Sequence, residues 1–194
     1  MSEIKSLCVY CGSSINVDDD FKDAAKKMGE ILAKSNIRLV YGGGKAGLMG
    51  IIADSVMKNG GEVLGIIPSH ISDREIQHTS LTELIIVESM HVRKQMMVDN
   101  SDAFLVLPGG VGTLDETCEI ITWRQLGIHD MPIIIGNLKD YWTPFLSMID
   151  HIADEGFMRQ DDKKTFQVVD SIDDVMDAIE RAPKETFDPS SKWI

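Results

Sequence analysis

The chain is poor in cysteine, poor in aromatic residues and short of positive charge, and each shortage narrows what it can be. Its three cysteines, Cys8, Cys11 and Cys118, are an odd and sparse count, which fits a reducing compartment better than a disulfide-built secreted fold. Lys and Arg number 19 against 31 Asp and Glu, for a net charge of −12. Such a surface repels a phosphate backbone, so a general nucleic-acid binder is not expected. No apolar run reaches the ~18 residues of a membrane helix. The opening stretch, MSEIKSLCVYCGSS, carries charge where a secretory leader needs an apolar run and a cleavage site. These absences predict a cytoplasmic protein that neither crosses a membrane nor coats nucleic acid.

Apolar residues make up 43% of the chain, enough for one sizeable core, and there is no internal repeat or low-complexity tract to argue otherwise. Strand-like and helix-like segments alternate. Strands are expected at 5–12, 37–41, 62–67, 103–107, 132–136 and near 166–169. Helices are expected at 18–34, 47–58, 90–100, 113–126, 141–154 and 171–181, with an irregular stretch holding His70 and His78 between the third strand and the third helix. Strands apolar on both faces belong in a parallel sheet covered by helices on each side. The expected fold is α/β, a doubly wound Rossmann-like parallel sheet with helices on both faces. One domain spans 1–182, and 183–194, with two prolines and mostly polar residues, forms a C-terminal tail.

Cys8 and Cys11 have CxxC spacing, yet in a strand residues three apart face opposite sides, and a redox pair needs a helix start. No second pair or paired histidine accompanies them, and His70, His78, His91, His129 and His151 show no ligand spacing, so no metal is expected. Ligands of open parallel sheets bind at the carboxyl ends of strands, where three glycine-bearing turns stand: CGSS at 11–14, YGGGKAG at 41–47 and PGGVGT at 108–113. Gly42, Gly44 and Gly47 fit G-x-G-x-x-G, but the following strand ends in Ile66-Ile67-Pro68 without the acid that holds a dinucleotide ribose. No Lys-Ser or Lys-Thr follows the glycines as a P-loop requires. Their expected role is close packing of strand and helix, and no cofactor is implied.

The third turn combines several constraints at one place. Gly109, Gly110 and Gly112 expose backbone N–H groups, Thr113 adds a hydroxyl, and the following helix aims its positive end at the same point, which together make a phosphate cradle. On a helical wheel Glu116 lies about 60° from Thr113 and Asp115 about 160° away. Glu116 should therefore face the ligand and Asp115 solvent. Upstream, in MHVRKQMM at 90–97, Met90, Arg93, Lys94 and Met97 fall within an arc of about 100°, so two cations share a face with two methionines, as in a partly apolar pocket for an anion and a flat ring.

MHVRK, followed by PGGVGTLDE and ITWRQLGIHDMP, resembles the Lonely Guy family, the cytokinin riboside 5'-monophosphate phosphoribohydrolases, with similarity running from VYCGSS to about residue 157. Members have often been labelled lysine decarboxylases, although nothing in this sequence marks a Schiff-base lysine or a pyridoxal phosphate site. The resemblance implies hydrolysis of the N-glycosidic bond of an adenine-type nucleoside 5'-monophosphate to free base and ribose 5-phosphate. It implies functional positions at Arg93, Lys94, Gly110, Val111, Gly112, Thr113 and Glu116, and, on shorter motifs, Glu75 and Thr122 as substrate contacts. It also implies a homodimer with sites near the interface. Glu116 and Thr122 lie about 120° apart on the helix, so if both touch substrate, one comes from a neighbouring subunit, and the Trp123-bearing segment could supply that surface.

Chemistry agrees with the resemblance. N-ribosyl cleavage passes through an oxocarbenium-like transition state, which a carboxylate at Glu116 can stabilise while orienting or deprotonating water. Arg93 either positions the carboxylate and the phosphate or assists departure of the base. Two alternatives remain at this point: a non-catalytic nucleotide or molybdenum-cofactor carrier on the same fold, which needs the cradle but not a carboxylate at the sugar, and an NAD-dependent oxidoreductase, which lacks its ribose acid here.

Overall fold

Alternating aliphatic residues whose successive side chains point to opposite faces build the centre of the molecule. The computed structural model describes residues 4–72 and 77–183. Among the described residues one sheet contains β1 (Ser6–Tyr10), β2 (Arg38–Tyr41), β3 (Val63–Pro68), β4 (Glu83–Val87), β5 (Ala103–Val106), β6 (Ile133–Gly136) and β7 (Gln167–Val169), in the order β4-β3-β2-β1-β5-β6-β7. Every neighbouring pair is parallel. The doubly wound α/β expectation holds.

On one face Leu7, Val9, Leu39, Tyr41 and Leu105 meet α1 (Asp19–Lys34), α2 (Gly47–Lys58) and α7 (Val175–Arg181). On the other, Cys8, Tyr10, Val40, Phe104 and Val106 meet α4 (Met90–Asp99), α5 (Val111–Gln125) and α6 (Thr143–Asp154). Cys8 and Cys11 fall in different cores, and burial pushes both thiols well above their usual range. They do not form a redox pair, since residues three apart along an extended chain face opposite sides.

Two boundaries depart from the sequence reading. The stretch taken as irregular contains a short helix, α3 (Ser69–Ser72), and a whole strand, β4. Among the described residues β4 pairs only with β3, and Ile86 is 56% exposed, so it is an edge strand without the two-sided burial that marks the others. The phosphate-cradle turn therefore follows the fifth strand. α5 also begins at Val111 rather than 113. Asp115 and Glu116 consequently sit in its second turn, where the helix dipole explains them less well. The tail beyond Pro183 lies outside the described residues.

Reversal of strand order between β1 and β5 creates the crevice in which open parallel sheets bind ligands. The loops after these two strands are tied together: Gly12 N–H donates to Pro108 O at 3.0 Å, and Leu48 N–H, at the start of α2, donates to Gly12 O at 3.0 Å. A Cβ on Gly12 would come within 3.2 Å of Gly109 Cα, and one on Gly47, whose φ is +59°, within 2.5 Å of the Ser13 carbonyl carbon. All three glycine turns thus converge on one spot because a glycine stands at each close approach, leaving no side chain there to separate them.

Candidate active site

At that convergence lies a cleft of about 170 Å³ with two unlike walls. Gly110, Gly112, Thr113, Glu116 and Arg93 supply a polar side, and Met49, Ile67, Pro68 and Ile71 an apolar one, with Cys11, Gly12, Ser13 and Gly42 completing the lining. Gly110 caps α5 without a side-chain hydrogen bond, so the first backbone N–H groups of a fifteen-residue helix face the cleft unclaimed by any cap. A helix start of this kind attracts an anion. Thr113 is buried, and its side chain leans against Gly109, where a Cβ would lie 2.1 Å from Thr113 Oγ1.

Glu116, one turn further along α5, is 8% exposed. Burial pushes its carboxyl up to about 7, with Arg93 pulling the other way and Asp115 adding to the rise. The Arg93 guanidinium stands 3.4 Å from Glu116 Oε1 and is held from three sides. Its Nε donates to Ile66 O at 3.2 Å, its Nη1 lies 3.8 Å from Met90 Sδ, and its Nη2 lies where a Cβ on Gly42 would be, 1.9 Å away. Ser89, which caps α4 by accepting from Val92 N–H at 3.2 Å, fixes where this helix starts and so where Arg93 points. Gly42 is thus the seat of the arginine rather than only a packing residue. The sequence placed the YGGG turn at the correct end of the sheet, but nothing local says which side chain crosses it.

Other expected positions are distributed differently. Lys94 does not line the cleft. It turns to α5, with its ammonium 3.2 Å from Asp115 and 2.9 Å from Glu119. Partial burial works against its charge, but these two carboxylates outweigh burial and hold its pKa above the ordinary value. The four-residue arc on α4 is likewise divided: Met97 is buried in the core and Met90 touches Arg93, while the methionine at the cleft is Met49 of α2. Asp115 is exposed. Val111 is 82% exposed, and Gly109 lies behind the cleft, its carbonyl taken by Tyr141. Thr122 is exposed, donates to Cys118 O at 2.7 Å and is not in the cleft. Glu75 lies outside the described residues.

The apolar wall had no sequence signal, since its residues come from α2, the end of β3 and α3, and meet only through the fold. Together the walls suit a ligand with an anionic end, a polar middle and a flat apolar end.

Comparison with known proteins gives the same direction. Residues 49–179 match the family described as "Possible lysine decarboxylase". The chain is 48% identical over 157 residues to cytokinin riboside 5'-monophosphate phosphoribohydrolase LOG1 of Arabidopsis thaliana, a match covering 81% of this chain and 74% of that protein. It is 46% identical over 158 residues to probable cytokinin riboside 5'-monophosphate phosphoribohydrolase LOGL2 of Oryza sativa subsp. japonica, covering 81% and 65% respectively. Among solved structures, the molybdenum cofactor binding protein from Rippkaea orientalis superposes with a TM-score of 0.70 at 18% identity, covering 93% of this chain and 98% of that one. The molybdenum cofactor carrier protein MCP from Chlamydomonas reinhardtii does so with a TM-score of 0.70 at 14% identity and the same coverage. At such identities the likeness is one of fold.

Proposed function

The chain belongs to the Lonely Guy family, whose family description is "Possible lysine decarboxylase", and from that premise we propose that it hydrolyses the N-glycosidic bond of adenine-type nucleoside 5'-monophosphates, including N6-modified cytokinin riboside 5'-monophosphates, to free base and ribose 5-phosphate. The observation that carries this reading is a buried carboxylate, Glu116, paired with Arg93 at 3.4 Å and standing one helical turn from an uncapped glycine loop. A phosphate on the N–H groups of Gly110, Val111, Gly112 and Thr113 sets the ribose beside Glu116 and leaves the base against Met49, Ile67, Pro68 and Ile71. Cleavage of the C1'–N9 bond sends its electron pair to the base and leaves positive charge on the ribose. The Glu116 carboxylate stabilises that charge and takes a proton from the incoming water, whose oxygen bonds to C1', while the departing base takes up one proton from solvent and Glu116 returns its own to solvent. Arg93 keeps enough of Glu116 ionised to do so, and remote phosphate binding positions the sugar.

Lys94 supports the site indirectly in this reading, by tying α4, which carries Arg93, to α5, which carries Glu116. Among the described residues lining the cleft there is no lysine to form a Schiff base, which argues against the decarboxylase label. A bare carrier needs no buried carboxylate beside its anion loop, which weighs against that alternative.

A homodimer is part of the proposal. Val111, Cys118 and Thr122 lie in one exposed strip of α5, within an arc of about 40°, and Ile128 beyond it is 59% exposed. A second copy on this strip would bring Thr122 to the neighbouring subunit's cleft mouth. The free thiols Cys8, Cys11 and Cys118 support a cytoplasmic location. Among the described residues no helix is long and apolar enough to cross a membrane.

The test is chromatographic detection of free base and ribose 5-phosphate after incubation with AMP, N6-isopentenyl-AMP and the corresponding nucleosides. Release from the monophosphates alone is expected. Monophosphate binding without release would leave a carrier.

A further inference from the structure

Behind the phosphate-cradle loop, on the side away from the cleft, the chain leaves β6 through a turn built at some conformational cost. Lys139 and Asp140 are consecutive non-glycine residues with φ of +52° and +59°, a conformation that persists only where surrounding contacts impose it. Those contacts are present. Lys139 Nζ lies 2.7 Å from both Asp18 Oδ2 and Asp20 Oδ2 at the start of α1. Asn137 accepts from Trp142 N–H at 2.8 Å and donates its Nδ2–H to Thr143 Oγ1 at 3.2 Å. The product of the turn is the placement of Tyr141, whose ring is wedged edge-on against Phe21 and Trp142 and whose hydroxyl donates to Gly109 O at 2.6 Å.

We propose that Tyr141 is a positioning residue for the anion loop: by holding the Gly109 carbonyl behind the loop, it fixes the Gly110 N–H pointing into the cleft. The two groups belong to one peptide unit, and in a trans peptide the C=O and the following N–H point in opposite directions. Gly110 lines the cleft and Gly109 does not, so a carbonyl turned toward Tyr141 turns the amide toward a bound anion. This unit needs an external hold because glycines flank it on both sides and offer little steric resistance to its rotation. Were it to flip, a carbonyl oxygen would face the phosphate, exchanging attraction for repulsion. Anchoring the acceptor from behind orients the donor before the ligand arrives.

The inference rests on the proposed function in that the anion is taken to be the substrate's 5'-phosphate, and its test separates the two. Tyr141→Phe deletes only the hydroxyl and keeps the ring contacts. Its affinity for ribose 5-phosphate, measured by calorimetry, should fall about threefold to tenfold, the worth of one hydrogen bond. KM for the nucleoside monophosphate should rise in step, with kcat changed less than twofold and the thermal midpoint near that of the wild type. Unchanged ribose 5-phosphate affinity would overturn the role of Tyr141. So would a fall in the thermal midpoint with kcat and affinity lost together, because that describes general damage. If the wild type binds ribose 5-phosphate but cleaves no monophosphate, the hydrolase reading fails while the calorimetric comparison still decides the role of Tyr141. If the wild type cleaves and the variant's KM is unmoved, the reverse holds.

Discussion

A carboxyl group at Glu116 in the protein interior is a liability to folding that the site uses. Burial raises it from the ordinary 4.5 to about 7 despite the Arg93 cation beside it, so the folded protein holds a proton that the unfolded chain has released. Stability therefore falls as pH rises from about 4.5 and the loss is complete above about 7, on the order of 3 kcal/mol at ~1.4 kcal/mol per unit. Glu116→Gln, which removes charge but little volume, should nearly abolish base release. It should also melt at a higher temperature than the wild type at pH 8, with the gap closing toward pH 5. Thermal unfolding at both pH values checks this, and equal gaps would mean the carboxyl is not desolvated. Turnover has the opposite dependence, because the transition state needs the ionised form: kcat/KM should rise with pH through about 7 and then level. Arg93 is coupled to the same titration. Gly42→Ala puts a methyl where the Arg93 Nη2 sits, 1.9 Å away, so kcat/KM should drop by at least about tenfold and the acidic limb should move upward. In an Arg93→Ala background the same glycine substitution should cost little. Additive losses in that double-mutant cycle would show that Gly42 acts through something other than the arginine.

At the scale of elements, α1 and α2 lie closer than side chains normally permit. A Cβ on Gly29 of α1 would be 2.6 Å from Ser55 Cβ and 2.8 Å from Ile52 O of α2, while Ser55 Oγ donates to Lys26 O at 2.6 Å. Alanine favours a helix over glycine by about 1 kcal/mol, but here it must displace a backbone oxygen as well as a side chain. Gly29→Leu, which cannot be accommodated by small shifts, should destabilise by about 1–3 kcal/mol or more, read as a lower urea midpoint, with the KM of the surviving folded enzyme unchanged. Most elements were legible because strands buried on both faces read as unbroken aliphatic runs, as in 103–107, and helices began at residues that cap them, such as Asp18. β4 was not, because an edge strand is buried on only part of its surface and its ELIIV run follows a polar stretch. The cleft was legible where one element carries it. Gly110 to Glu116 form a single turn and helix, so loop spacing and the helical wheel sufficed. It was illegible where elements meet: the Gly42 seat, the apolar wall and Tyr141 each join residues distant in sequence. Wheel geometry grouped Lys94 with Arg93, but the acids of the neighbouring helix drew it away.

For the whole molecule, a net charge of −12 means that a dianionic substrate is attracted only locally, by Arg93 and the start of α5, and only when it has reached the cleft. A second copy seated on the exposed strip of α5 would narrow that approach and add the partner's polar groups to the mouth. Three positions define the strip, Val111, Cys118 and Thr122, with Cys118 in the middle. Cys118 itself is small and uncharged, with the exposed Asp115 one turn before it, so an arginine there obstructs close helix contact without touching the core of its own subunit. Sedimentation equilibrium of the wild type at micromolar concentration should give the mass of two chains. Cys118→Arg should shift this toward one chain, with the thermal midpoint of the protomer little altered and base release reduced together with association. Raising the concentration of the variant should restore both in parallel, since mass action governs a weakened interface. A wild-type protein that sediments as one chain and turns over at full rate when dilute would show that each cleft is complete in itself. In that case Thr122, which faces away from its own cleft, has no part in the reaction.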